Sequence, residues 1–91
     1  MLNKEITINI PGGLKSKGAA MLTHVAGRFE SQILIEDEYK KINAKSIMGV
    51  LALQVPEGDT INIVANGKDE QEAIEALEKL AKTGSIPEEL L

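Results

Sequence analysis

Residues 4–29 read KEITINIPGGLKSKGAAMLTHVAGRF, and the hydrophobic period of this stretch changes midway. Within residues 4–10 isoleucine alternates with polar residues, which predicts a strand that ends at the proline and the two glycines. From Leu22 to Phe29 the apolar side chains recur at i, i+3, i+4 and i+7. That spacing predicts an amphipathic helix over residues 17–28, with Ser16 as its N-cap. A strand, a glycine-rich turn and a helix therefore open the chain.

The remaining residues continue to alternate between the two periods. They predict strands at residues 32–37, 39–43 and 60–65 and helices at residues 47–53 and 70–82. Asp69 and Glu72 have the spacing of a capping box for the last helix, and Gly84 is placed to end that helix. The order βαββαβα predicts an α+β sandwich in which helices cover one face of a four-stranded sheet.

The composition excludes several classes of protein. A length of 91 residues allows a single domain over residues 1–91, and no apolar run approaches the roughly 18 residues of a membrane helix. The absence of cysteine and of a signal-peptide core favours a cytoplasmic location. Phe29 and Tyr39 are the two aromatic residues and the net charge is −4, which disfavours direct binding of nucleic acid. With one histidine and no cysteine, the sequence predicts neither a metal site nor a cofactor.

Basic residues and glycines surround the predicted start of the first helix. Gly13 and Gly18 have the spacing of a phosphate-binding P-loop, but alanines follow where that loop needs a lysine and a hydroxyl residue. A helix N-terminus nevertheless offers free amide groups and a partial positive charge to an anion. Lys15, Ser16 and Lys17 are therefore candidates for binding a phosphate or a carboxylate, and the alternative is a solvated basic turn.

Two of the predicted helices carry further apolar residues outside the stripe that faces the core. Helical spacing places four residues on the outer side of the first helix, namely Lys17, Ala20, Met21 and His24. In the short helix, Ile47, Met48 and Leu51 cannot all face the core. A small apolar surface that includes methionines is typical of a partner-binding surface, and scattered surface hydrophobics are the alternative.

Ser46 directly precedes the short helix, where serine is most often an N-cap. A phosphate on this hydroxyl would meet the free amide groups of the helix start and the neighbouring Lys45, which would stabilise the added charge. Because any N-cap serine beside a lysine fits this description, the residues alone leave both interpretations open.

Three segments resemble one bacterial family. Residues 43–49, NAKSIMG, resemble the regulatory-serine motif of HPr, the small phosphocarrier of the sugar phosphotransferase system. Residues 13–20 resemble the flanks of its active-site loop, and residues 67–73, GKDEQEA, resemble the start of its last helix. The resemblance covers essentially the whole chain in register. It implies an open-faced β-sandwich, a four-stranded antiparallel sheet with three helices on one face.

The active-site loop departs from the family pattern. The family reads GLHARPA where residues 13–19 read GLKSKGA, so Lys15 replaces the phosphoryl-accepting histidine. An ordinary lysine ammonium loses its proton near pH 10.4 and offers no lone pair at neutral pH. Lys17 lacks the bidentate fork of the family's arginine, and Gly18 in place of proline predicts a looser first turn. His24 cannot substitute, since the helical rise puts it roughly 12 Å from the start of the helix.

This combination resembles the regulatory, Crh-like members of the family, which lack the histidine and keep the serine. The resemblance implies that Ser46 is phosphorylated by HPr kinase/phosphorylase, and that the phosphorylated form is a corepressor of a LacI-type catabolite control protein. It also implies that the docking residues are Ile47, Met48 and Leu51 with the outer side of the first helix. Such a protein is a regulatory partner, with no enzymatic activity and no phosphohistidine transfer.

Two other functions stay open. One is a phosphocarrier of the phosphoenolpyruvate-dependent sugar phosphotransferase system with an atypical loop, in which Lys15 is the nucleophile and the proteins of that system are the partners. The other is a divergent member of the family that has lost both the kinase and the repressor. Phosphorylation by HPr kinase with ATP, and by Enzyme I with phosphoenolpyruvate, distinguishes these functions.

Overall fold

The computed structural model describes residues 1–91, with four strands and three helices. The strands are β1 (Leu2–Thr7), β2 (Gln32–Asp37), β3 (Lys40–Asn43) and β4 (Thr60–Asn66). The helices are α1 (Ser16–Ala26), α2 (Ile47–Leu53) and α3 (Glu70–Thr83), and a single 3₁₀ turn at Glu88–Leu90 follows them. The predicted element order is confirmed. None of the helices combines the length and the apolarity that crossing a membrane requires.

The strands form one antiparallel sheet in the order β1-β4-β2-β3. Ile6 lies opposite Ile61 and Ile35 lies opposite Ile63, so the isoleucines share one face of the sheet. The helices cover that face, because α3 packs on β1 and β4, α2 packs on β3, and α1 packs on both other helices. The other face has no covering layer. The predicted open-faced sandwich is therefore confirmed.

The first strand ends earlier than the alternation of residues 4–10 predicts. It pairs with β4 from Leu2 to Thr7, and the main chain then leaves the ladder. The Ile8 N–H donates to the carbonyl of Asp59, and the Asn9 N–H donates to that of Ala81, each at 2.8 Å. Ile8 is still buried, as is Ile10. Alternating burial therefore continues beyond the residues that pair in the sheet.

The predicted N-cap of α1 is wrong. Lys15 is the residue that precedes the helix, and its side chain caps no amide. Ser16 is the first residue of α1 and has a φ of 32°, in the left-handed region that non-glycine residues rarely adopt. The helix ends at Ala26, two residues before its predicted end, and Gly27 donates its N–H to the carbonyl of Thr23 at 2.9 Å.

The predicted capping box of α3 is also wrong, because the carboxylate of Asp69 binds another part of the chain. It accepts hydrogen bonds from the N–H groups of Glu30 and Ser31, each at 2.9 Å, and from the Ser31 hydroxyl. The Ser31 hydroxyl bond first, and then the Glu30 N–H, lower the pKa of Asp69 to about 2. Near the helix start, Glu70 accepts the Gly67 N–H at 3.1 Å. Asp69 therefore ties the start of α3 to the start of β2.

Acid should release this tie. A carboxyl group whose pKa falls from 3.8 to about 2 on folding stabilises the native state above pH 3.8, and this contribution disappears as the pH falls through about 2. Asp69→Asn is expected to lower the melting temperature at pH 7 and to flatten its decline between these two pH values. Thermal unfolding followed by circular dichroism from pH 2 to pH 7 measures both effects.

The matched control is Glu70→Gln, because the Gly67 N–H first and the N-terminal ammonium next lower the pKa of Glu70 as well. In this control variant, the part of the fall in melting temperature at low pH that is due to Asp69 should remain. If Asp69→Asn follows the parent protein at every pH, the carboxylate does not stabilise the fold.

Candidate functional site

The three predicted anion-binding residues lie together and exposed at the start of α1. Lys15 has an extended backbone, with a φ of −114° and a ψ of 156°, and Ser16 and Lys17 follow it into the helix. No acidic residue lies in the first turn of α1. Lys15 and Ser16 also line a shallow open concavity with Leu51 and Gln54 of the α2 region. The fold therefore brings this loop beside α2, and whether it binds an anion stays a prediction.

Gly18 is closely packed in the first turn of α1. The residue is buried, and a Cβ atom added to it would overlap the carbonyl oxygen of Gly13. Its N–H donates to the carbonyl of Lys15 at 2.8 Å. A proline at this position would bring the overlapping Cβ and would remove the donor. Loop residues 13–18 are therefore packed closely around Gly18. This glycine is a further difference from the family's loop, beside the replacement of the histidine.

We expect Gly18→Ala to destabilise the fold by roughly 1–3 kcal/mol, the cost of overpacking a closely packed site, and Gly18→Pro to cost more. Urea unfolding followed by circular dichroism gives the change. The control is Gly27→Ala, since Gly27 has a helical φ of −67° and an added Cβ would meet nothing closer than 3.2 Å. Equal stabilities of the two alanine variants would show that the contact between Gly13 and Gly18 is not close.

Ser46 is the N-cap of α2, as predicted. Its side-chain oxygen accepts the N–H of Gly49 at 3.2 Å, and the residue is half-buried. Asn43, which the sequence analysis did not select, holds the segment before it: its carbonyl accepts the Ser46 N–H at 3.0 Å, and its side chain accepts the Lys45 N–H at 2.9 Å. Asparagine two residues before a turn amide is a known signal for this arrangement. The hydroxyl of Ser46 is thus held by a turn on one side and by a helix on the other.

Gly49 is a second residue that the sequence analysis did not select. A Cβ atom added to it would lie 2.6 Å from the Cγ2 atom of Ile42 and 3.3 Å from the Ser46 hydroxyl oxygen. The first turn of α2 therefore approaches β3 closely, and this close approach determines how deeply Ser46 is buried.

The ammonium of Lys45, the neighbour of Ser46 in the chain, binds a main-chain carbonyl. It donates to the carbonyl of Phe29 at 2.6 Å, just beyond the end of α1. A cation at that place interacts favourably with the carbonyl end of a helix. Lys45 therefore ties the turn after α1 to the start of α2.

An apolar surface adjoins the serine. We call Ile47, Met48 and Leu51 the docking surface: Ile47 is 39% exposed, Met48 is 75% exposed and Leu51 is half-buried. Val50 and Leu53 are the residues of α2 that face the core. As α1 packs against α2, the outer side of α1 is the neighbouring surface.

The residues predicted for the outer side of α1 do not all share one environment. Lys17, Ala20 and His24 are exposed. Met21 is half-buried against the core, which corrects the prediction that it faces solvent. The imidazole of His24 contacts the carbonyl of Leu90 at 2.9 Å and so is not free. No group of three or more His, Cys, Asp or Glu side chains could hold a metal ion.

Together, the open-faced antiparallel sheet, the loop at the start of α1 and the N-cap serine beside the docking surface define an HPr-like domain. The family model described as the PTS HPr component phosphorylation site matches residues 2–83, and the chain belongs to the HPr family.

The chain is 46% identical to the HPr-like protein Crh of Halalkalibacterium halodurans over 85% of this chain and 92% of that protein. It is 42% identical to the phosphocarrier protein HPr of Cupriavidus necator over 85% of this chain and 86% of that one. The crystal structure of HPr-C-His from Thermoanaerobacter tengcongensis superposes with a TM-score of 0.88 and 42% identity, and the match covers 92% of this chain and 94% of that one. Proteins named HPr-like protein Crh and a protein named phosphocarrier protein HPr are thus both among the similar proteins.

Proposed function

We propose that this protein is a regulatory member of the HPr family that acts in the cytoplasm through phosphorylation of Ser46. In this proposal HPr kinase/phosphorylase adds the phosphate, and the phosphorylated protein binds a LacI-type catabolite control protein as its corepressor. It has no enzymatic activity of its own and does not carry phosphohistidine. The observation that carries the proposal is the N-cap position of Ser46 beside the docking surface, together with Lys15 at the histidine position.

The local geometry supports phosphorylation without refolding. The serine oxygen already accepts the Gly49 N–H, so a phosphate attached to it would lie at the start of α2, where backbone amides favour negative charge. Met48 is the most exposed residue of the docking surface. A repressor that contacts Met48 would therefore be close to the phosphate. It would bind the apolar side chain and the charged group in one interface.

Similarity supports the same proposal. The relative with 46% identity is named HPr-like protein Crh, and the match includes most of both chains.

The experiment that tests the phosphorylation is incubation with HPr kinase/phosphorylase and ATP, followed by intact-mass spectrometry. The parent protein should gain one phosphate, and Ser46→Ala should gain none. Loss of the N-cap bond to Gly49 should cost about 1 kcal/mol of stability, so this variant should remain folded. Ser85→Ala, which removes an exposed serine elsewhere, is the matched control and should be labelled fully. Undiminished labelling of Ser46→Ala would place the modification at another residue.

The second candidate function is that of a phosphocarrier with an atypical loop. Two observations favour it: a relative with 42% identity is a phosphocarrier protein HPr, and Lys15 is exposed in an open concavity at the start of α1. Its partners would be proteins of the phosphotransferase system. Labelling by Enzyme I distinguishes this function from the regulatory one.

A further inference from the structure

A groove lies between α3, the turn after α1 and the last residues of the chain. We call residues 85–91 the tail segment. Its Pro87 is buried, and Ile86 and Leu90 are half-buried against the core, so apolar packing anchors the tail segment as one side of the groove. The tail segment follows residues 2–83, which the family model matches, so the matched part of the chain does not account for this side of the groove.

Part of the lining of the groove is apolar. It includes Phe29, Ala76 and Leu90, which are all half-buried and therefore keep apolar surface exposed to solvent. The groove has a volume of about 350 Å³. This volume is at the lower end of the roughly 300–1,000 Å³ that ligand sites span, which suits one or two side chains of a partner better than a large ligand. None of the lining residues belongs to α2 or to loop residues 13–18, so the groove is separate from the docking surface.

The charged lining of the groove is predominantly acidic. Three exposed carboxylates and one exposed ammonium give it a net charge of −2, and they belong to Glu72, Glu75, Glu89 and Lys79. The three ion pairs of the protein involve none of these side chains. Glu75 lies one helical turn before Lys79, but its carboxylate accepts a hydrogen bond from the Gln71 amide at 2.8 Å and does not pair with that lysine. The negative charge of the groove is therefore not neutralised by an ion pair within the protein.

We propose that this groove is a second docking site, which binds an arginine side chain and an adjacent apolar side chain of a partner protein. Glu72 and Glu75 are three residues apart on α3, so their side chains are neighbours on one face of the helix. A planar guanidinium has five donors in a fork and can bond two carboxylates at once, whereas a lysine ammonium is a point charge.

The apolar lining completes the match to such a partner. The aliphatic stem of the arginine would pack on Phe29 and Ala76, since a long charged side chain buries its stem while its charged end stays at the surface. The adjacent apolar side chain of the partner would contact Leu90. This docking site does not depend on the proposed function, because it uses neither the serine phosphate nor the docking surface on α2.

The first test uses a short peptide in which one arginine is flanked by leucines, and NMR titration of the full chain at physiological ionic strength. The amide signals of residues 72–79 and of the tail segment should shift. Glu72→Gln with Glu75→Gln should bind the peptide about tenfold more weakly than the parent. The control is Glu5→Gln with Glu38→Gln, which removes the same charge at exposed residues outside the groove and should change the affinity by at most about twofold. Equal losses in the two double variants would show that the peptide responds to net charge alone, and would overturn the proposal.

The second test changes the apolar lining and leaves the charge as it is. Ala76→Leu puts a larger side chain into the groove and should weaken binding of the same peptide about fivefold. Ala52→Leu, at an exposed position of α2 outside the groove, is the matched control and should bind like the parent. Unchanged binding by Ala76→Leu would mean that the peptide does not enter the groove.

Two further ligands separate the occupants. A peptide with citrulline in place of arginine has nearly the same shape without the charge, and it should bind the parent protein about tenfold more weakly. Equal binding of the two peptides would show that the carboxylates do not recognise a guanidinium. Agmatine, a free guanidinium on a short chain, should bind much more weakly than the arginine peptide. If agmatine binds as tightly as the peptide, the groove takes a small cation and the docking of a partner protein is excluded.

Discussion

Incubation with phosphoenolpyruvate and Enzyme I is expected to leave no acid-labile phosphate on this protein. Phosphoryl transfer needs a lone pair on the attacking nitrogen, and the ammonium form of a lysine side chain has none. No carboxylate lies in the first turn of α1 to take up its proton, and Lys17 adds a second positive charge there. The measurement is the acid-labile label on the protein after incubation with radioactive phosphoenolpyruvate, with a histidine-containing HPr as the positive control.

The loop geometry also determines which changes should restore transfer. Lys15→His should give weak labelling, because Lys17 supplies a point charge without the arginine fork. Adding Lys17→Arg should raise the rate. Adding Gly18→Pro should lower it again, because the proline Cβ would overlap the Gly13 carbonyl and the bond from the Gly18 N–H would be lost. This last expectation is the reverse of what the family's own GLHARPA loop suggests.

Two results would contradict this account. Stoichiometric labelling of the parent protein that disappears in Lys15→Ala, and persists in the exposed-lysine control Lys82→Ala, would establish the phosphocarrier function. A gain of transfer on adding Gly18→Pro would show that the close contact with Gly13 is absent in solution.

Phosphorylation of Ser46 is expected to raise the affinity for a LacI-type repressor by about a hundredfold or more. Two hydrogen bonds to the phosphate, at roughly 1.5–3 kcal/mol each, suffice for that factor, because about 1.4 kcal/mol gives a tenfold change. Titration of the repressor with both forms of the protein measures the ratio. Equal binding of the two forms, or no binding by a fully phosphorylated protein, would exclude the corepressor function.

Met48→Asp should remove repressor binding while the kinase still labels Ser46. Met48 is 75% exposed, so a carboxylate there costs little stability, but it would put an unpaired charge into the apolar contact. Tyr39→Asp is the matched control, because Tyr39 is 99% exposed and lies in the turn between β2 and β3. An equal loss of affinity in both variants would mean that the docking surface does not form the contact.

Local patterns were sufficient to predict most of the fold. The apolar residues change from a two-residue spacing to a helical spacing along the chain, and this change locates each strand and helix. The ends of β2 and α2 coincide with their predicted ends. Ser46 was predicted as an N-cap from its position alone, because a cap bond spans only three residues. The exposure of Ile47 and Met48 also follows from one helix, since a seven-residue helix with Val50 and Leu53 turned inward must turn others outward.

The site depends on contacts between distant residues, which no local pattern contains. Asp69 had the correct spacing to cap α3, yet its carboxylate binds Ser31, 38 residues away, because the fold places two N–H donors and a hydroxyl there. The ammonium of Lys45 binds a carbonyl 16 residues earlier, a partner that the neighbouring sequence does not indicate. The carboxylate of Asp69 had a local alternative at the start of α3, and the donors that it binds instead come near it only after folding.

The sequence by itself therefore determined the order of the elements, the position of the N-cap serine Ser46 and the lysine at the family's histidine position. Those properties depend on residue type and on spacing within one element. Only the tertiary structure decided that Gly18 packs against Gly13, that Met21 is half-buried and that the Leu90 carbonyl contacts the His24 imidazole across 66 residues. The physical reason is that close packing and hydrogen-bond choice depend on which segments fold against each other, and that arrangement is a property of the whole chain.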